Sequence, residues 1–337
     1  IYRDNNGQLQ AIKKDAETTD SADDMVNAIT YGKGSAFIKQ LIHMISKKGM
    51  SRGCQLYFEK HAWTNTTLDD FINALVQGCK ETDQNLEIDL RKYCVDFLTT
   101  KGINYIDAEV EDHDNGIKVT FKQKQGKYSD SINTQKMDFH LYDDEMNMEE
   151  HTIILNANNT PQTQYFPNRK AENTFVLLNA NDEAYILPTL SDNFIQKFMK
   201  GNLSKIKGSI NRIVVWRTLI SMVKNLKLKS TEFFSIVINN IFAENDLILL
   251  NTILATVKIF ISIYIPEEQY EDLCKQMFEN LHKMYLEISD SNPDLKSVVR
   301  TSLFYYLVND GNIMIATEWL NKGEMELEKE DKEAIIL

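Results

Sequence analysis

The hydrophobic period of this chain changes from helix-like to strand-like at Ile103, and returns to helix-like after about Ser191. This switch limits the possible folds, because a period near 3.6 lines one helix face whereas a period of two lines one sheet face. Before it, Phe37, Ile38, Leu41, Ile42 and Ile45 share a helix face. Thr67 reads as the N-cap of a helix with Asp69 and Asp70 in its first turn, where negative charge suits the helix dipole. Leu86, Leu90, Tyr93, Cys94 and Phe97 mark another helix, which Gly102 closes. Within the period-two region, Ala108 and Val110, then Ile117, Val119 and Phe121, alternate with polar residues across Asp114-Asn115-Gly116. That pattern predicts a hairpin, with a turn longer than two residues. Further strands are expected over 137–142, 152–155, 174–179 and 183–187, with polar connections over 123–135 and 156–169. Helices follow over 210–223, 231–242, 246–264, 267–288 and 294–308, with Pro266 and Pro293 near starts, where proline is tolerated. The acidic run 324–333 is expected to cap or fray into solvent. The expected class is α+β, mainly α: helices over 1–101, a small antiparallel β-sandwich over 102–190, and an α-solenoid-like array over 191–337.

Composition narrows the function. A hydrophobic fraction of 43% supplies ample core material, and a net charge of −12 argues against a phosphate-binding surface, so no nucleic acid is expected as a partner. Cys54, Cys79, Cys94 and Cys274 are widely spaced in apolar segments and form no C-x-x-C pair. They read as reduced core thiols of an intracellular, cytoplasmic protein. The polar start Ile1-Tyr2-Arg3-Asp4 is unlike a signal or transit sequence and reads as the beginning of a piece of something longer. The apolar stretch 247–265 approaches membrane-spanning length but carries Asn251, Thr252, Thr256 and Lys258. It is expected to be a central helix of the helical array, with no membrane span.

Four short passages occur in a telling order. The first is Ile29-Thr30-Tyr31-Gly32-Lys33-Gly34-Ser35. It is followed by Tyr57-Phe58-Glu59-Lys60-His61 running on through Asn65, Thr67 and Asp70, then by Phe97 to Tyr105 around Gly102, and by Leu177-Leu178-Asn179 leading to Tyr185. Together they resemble the M1 (gluzincin) aminopeptidase family over about residues 21–190. The resemblance implies that 1–101 closes a thermolysin-like catalytic domain, that 102–190 is the family's sandwich, and that the rest belongs to its curved helical domain. It also implies a role for Tyr31, at the position of the family's signature tyrosine: a phenol donating to the oxyanion of the tetrahedral intermediate. Such a donor stabilises the transition state more than the ground state. Lys33 and Gly34 are expected to shape the helix entry.

The family's metal chemistry needs His-Glu-x-x-His, whose two histidines share a helix face and bind zinc. None of His43, His61, His113, His140, His151 and His282 is followed by Glu or by a second His four residues on. The Gly-x-Met-Glu-Asn element is also absent, and 9–12 does not match the family's Ser-His-Pro-Ile passage. The expectation is therefore no cofactor in this chain, zinc in the complete enzyme, and no activity from this chain alone. Its partners would be the N-terminal half of the fold, in the same or another chain, and a peptide substrate. The alternative is a non-catalytic structural or docking subunit of a larger assembly. His61 is expected to pack or cap in its turn, and His140 and His151 to be structural.

Overall fold

Asn27 caps the helix Ala28–His61 by accepting a hydrogen bond from Ile29 N at 2.8 Å, satisfying one of the free amides at the helix start. The computed structural model describes residues 10–14, 18, 20, 27–83, 86–289, 291–308 and 310–322. The acidic run 324–333 lies outside them. The chain forms two units, Ile1–Ser191 and Asp192–Leu337.

In the first unit, α1 (Ala28–His61) is interrupted at Ser46, whose φ of 63° and ψ of 161° are not helical. Helix α2 (Leu68–Glu81) starts with a reciprocal cap: Thr67 Oγ1 accepts from Asp70 N, and Asp70 Oδ2 accepts from Thr67 N at 2.9 Å. These bonds hold the Asp70 carboxyl below its usual range. Helices α1 and α2 cross where Gly53 meets Gly78, so closely that a Cβ added at Gly78 would lie 2.3 Å from Gly53 N. Helix α3 (Leu90–Thr99) is capped by Asp89, which accepts from Lys92 N at 3.0 Å. Phe37, Leu41, Ile72, Leu75, Tyr93 and Phe97 form the core of these helices, and Tyr185 and Leu187 from the sandwich complete it.

The sandwich comprises β1 (Asn104–His113), β2 (Gly116–Gln125), β3 (Gln135–Tyr142), β4 (Met148–Leu155), β5 (Gln162–Pro167), β6 (Phe175–Ala180) and β7 (Ile186–Pro188). One sheet has the order β5-β2-β1-β7 and the other β4-β3-β6. Pairing is antiparallel except for β7, which joins β1 in parallel. Val119, Phe121, Phe139 and Leu141 fill the space between the sheets.

Two local expectations are corrected here. His113 pairs with Gly116, so the hairpin turn has only two residues, Asp114 and Asn115, with Asp114 at φ 46°. Gly116 belongs to the strand, where an added Cβ would lie 2.1 Å from Phe166 O. The supposed connection over 156–169 contains β5, an edge strand beside β2. Gln162 and Gln164 share its half-buried side with Phe166 while Tyr165 is exposed, so polar and apolar residues do not alternate in the way that identifies a strand. In β6, Asn179 takes φ 55° where the pairing with β3 shifts register, and its side-chain amide both donates to and accepts from the backbone of Ala184. A carboxamide that imitates a strand partner in this way explains why an asparagine suits that place.

The second unit is helical: α4 (Asp192–Met199), α5 (Ser209–Lys224), α6 (Ser230–Asn240), α7 (Leu247–Tyr264), α8 (Glu267–Glu287), α9 (Pro293–Leu303) and α10 (Asp310–Lys322). Neighbours in sequence pack together, α5 on α6 and α8 on α9. Helix α7 is long and apolar enough to cross a membrane by length and composition, with a mean hydropathy of 2.0. In this unit it buries Leu250, Ile253, Leu254, Val257 and Phe260 as a core helix.

Candidate functional site on the first helix

The first turns of α1 present two faces with different chemistry. Tyr31 is 72% exposed, whereas Lys33, two residues on, is 2% exposed. Two residues advance the helix by about 200°, so these side chains leave on nearly opposite sides. Gly32 and Gly34 stand beside them, and an added Cβ at either would meet nothing within 4 Å. Tyr31 is thus not a core tyrosine. Its backbone N–H bonds to Asn27 O at 3.2 Å, and its phenol projects from the surface of the first unit. The helix start is held further by Gln10, whose amide donates to Thr30 Oγ1 at 3.2 Å and whose carbonyl accepts from Asn27 Nδ2 at 2.6 Å.

The opposite face of α1 is fastened to the rest of the unit by polar side chains. Lys33 Nζ donates to Thr100 O at 3.0 Å and Gly102 O at 3.2 Å, where α3 ends and the sandwich begins. Lys39 Nζ donates to Asn181 O at 3.1 Å and Asp182 O at 2.7 Å. Gln40 Nε2 donates to Gln135 Oε1 at 2.6 Å, and His43 Nε2 lies 3.3 Å from Asp138 Oδ1. Lys136 Nζ donates to the backbone carbonyl of His43 at 3.1 Å, just before the break at Ser46. A helix interruption frees carbonyls of the preceding turn, and Lys136 satisfies one of them. Asp138 also accepts from Thr152 Oγ1 at 2.7 Å. Burial alone would raise the Asp138 pKa, but the nearby His43 imidazole and the bonds from Thr152 and Asn181 outweigh it and bring the value down to about 2.

The sequence motif singles out Tyr31 but carries no sign of this polar seam. The one available signal was Lys33, a cation four residues after Ile29 and four before Phe37 on an otherwise apolar stripe. The seam's other halves lie about 65 to 145 residues away in sequence, beyond any local pattern.

Among the described residues, no three His, Cys, Asp or Glu side chains converge to hold a metal ion. The histidines have other surroundings. His61 packs against the Tyr57 ring, with Nε2 3.8 Å from Asp70. His140 is buried beside the Tyr142 hydroxyl at 3.4 Å, and burial lowers its pKa, favouring the neutral ring. All four cysteines are free thiols, and burial pushes Cys94 up to about 12.

The chain is similar to known proteins in both sequence and fold. The sequence pattern of the peptidase family M1 domain matches residues 1–92. Aminopeptidase N of Streptomyces lividans is 25% identical over 279 residues, covering 78% of this chain and 31% of that protein. Endoplasmic reticulum aminopeptidase 2 of Homo sapiens is 26% identical over 83 residues, or 25% of this chain and 9% of that protein. The crystal structure of Legionella pneumophila aminopeptidase A in complex with aspartic acid superposes with a TM-score of 0.63 at 13% identity, covering 93% of this chain and 39% of that one. At that identity the superposition establishes the fold alone. This chain spans only about a third of the length of the Streptomyces relative.

Proposed function

We propose, from the premise that this chain belongs to the M1 peptidase family, that it is the C-terminal portion of a metalloaminopeptidase and supplies that enzyme's oxyanion-stabilising tyrosine, Tyr31. The observation that carries the reading is the exposed phenol of Tyr31 on a helix whose other face is bolted down. A neutral hydroxyl held out from a rigid support can donate to negative charge as it develops on a carbonyl oxygen, at little reorganisation cost. The metal of the complete enzyme would be held by residues outside this chain, and its chemistry would be polarisation of the scissile carbonyl and activation of water. Within this chain, Tyr31 binds the tetrahedral oxyanion and α1 orients the phenol. Peptide is the substrate class.

The test is hydrolysis of an aminoacyl p-nitroanilide by the full-length protein that carries this chain. Tyr31→Phe should lower kcat by about 10²- to 10³-fold, the usual loss for one oxyanion donor, with KM little changed. A Tyr31→Phe enzyme with unchanged kcat would dismiss the role. A full-length protein that binds no zinc and hydrolyses no aminoacyl substrate would favour the second reading, a non-catalytic subunit of a larger assembly.

A further inference from the structure

We propose that Lys33 is a positioning residue for Tyr31, acting through the helix backbone; this rests on Tyr31 being the oxyanion donor. Lys33 is buried beside two aromatic rings, its ammonium 5.9 Å from the Phe97 ring centroid and 5.7 Å from that of Tyr185. An apolar residue would suit such surroundings, since burying an ammonium is costly unless well-placed acceptors take its protons. Here the acceptors are specific. Thr100 is the C-cap of α3 and Gly102 lies two residues beyond, so their carbonyls sit at the negative end of that helix. The rings add favourable contact of their faces with the cation.

What such an anchor fixes follows from its neighbours. Gly32 and Gly34 bracket Lys33 and provide no side-chain contact, and glycine in a helix interior loosens it. Tyr31 and Ser35 point away from the core. Between Ile29 and Phe37, Lys33 is therefore the side chain buried deepest on the inner face. It sets the rotation and axial height of the turn that carries Tyr31, relative to the fixed carbonyls of Thr100 and Gly102. A shift of about 1 Å in a catalytic group is enough to cost some hundredfold in rate. Two hydrogen bonds with defined directions restrict that turn better than an apolar contact, which slides.

The experiment compares Lys33→Met, Lys33→Arg, Tyr31→Phe and the Tyr31→Phe/Lys33→Met double variant in the full-length protein. Hydrolysis of an aminoacyl p-nitroanilide is measured alongside amide hydrogen exchange of residues 28–33. The expected result is a kcat at least tenfold lower for Lys33→Met with KM within twofold, partial recovery in Lys33→Arg, and faster exchange over 28–33 in the two proteins that carry Lys33→Met and not in Tyr31→Phe alone. The double variant should be no slower than Tyr31→Phe alone, because a positioning residue has nothing left to position. Should the Met variant not accumulate, Lys33→Gln gives the same comparison. A normal kcat in Lys33→Met beside a defective Tyr31→Phe would overturn the positioning role only. Losses that multiply in the double variant would also overturn it, since they would show that Lys33 acts independently of Tyr31. A Tyr31→Phe enzyme at wild-type kcat would instead remove the oxyanion reading on which the proposal stands.

Discussion

Replacing Ser46 with glycine should stabilise the first unit, although it removes a hydrogen-bonding side chain from a helix. Ser46 holds φ 63° and ψ 161°, a combination that glycine adopts freely and residues with a Cβ avoid. Strain of that kind costs about 1–3 kcal/mol. Against its relief stand two smaller losses. Ser46 Oγ accepts from Gly49 N at 3.3 Å, capping the second half of α1, and exchanging a serine cap for glycine costs a few tenths of a kcal/mol. Glycine also loosens the unfolded chain, by about 0.4–1 kcal/mol. The net expectation is a gain of about 1 kcal/mol, which for a unit of this size raises Tm by about 2–4 °C. Ser46→Ala is the control: it keeps the Cβ and so the strain, loses the cap, and should fall about 1 kcal/mol below wild type. Scanning calorimetry of the three proteins measures the order, and hydrogen exchange over 37–45 locates it. A Ser46→Gly protein less stable than wild type, or an alanine variant equal to the glycine one, would refute the assignment of strain to this residue.

Two further perturbations probe the same unit. Asp138 has a folded-state pKa of about 2 against an ordinary 3.8, so its stabilising contribution is complete above the ordinary value and is lost as pH falls through about 2. That contribution is on the order of 2 kcal/mol, so urea midpoints of wild type and Asp138→Asn should converge between pH 4 and pH 2; parallel curves would count against the His43–Asp138 contact. Gly78→Ala places a methyl 2.3 Å from Gly53 N and 2.9 Å from Gly49 O, backbone atoms that cannot rotate aside. The α1–α2 crossing should then open at a loss of about 2 kcal/mol or more, read by chemical denaturation, and a neutral outcome would mean that the helices are not so close.

These positions show why some of the architecture was legible in the sequence and some was not. The hairpin of β1 and β2 announces itself because Val119 and Phe121 face the core while Lys118, Thr120 and Lys122 lie on the other side. The start of α2 is equally plain, since Thr67 and Asp70 meet the spacing that a reciprocal cap needs. Strand β5 was lost because its half-buried side is mostly glutamine, with only Phe166 reaching the core, as an edge strand tolerates. The break in α1 is invisible because Leu41, Ile42 and Ile45 keep helical spacing up to Ser46, and serine does not signal a positive φ. Tyr31 stands out only through its motif. The partners of Lys33, the carbonyls of Thr100 and Gly102, are far away in sequence and meet it only in space.

The central claim, that Tyr31 donates to an oxyanion, is tested most directly by comparing two ligands on full-length wild-type and Tyr31→Phe proteins. One is a phosphinic pseudopeptide that mimics the tetrahedral intermediate, and the other is the free amino acid product. The account predicts that the variant binds the phosphinate about 10²-fold or more weakly and the amino acid within threefold of wild type, because the phenol acts on the transition state and not on the ground state. Equal weakening of both ligands, or of neither, would contradict it.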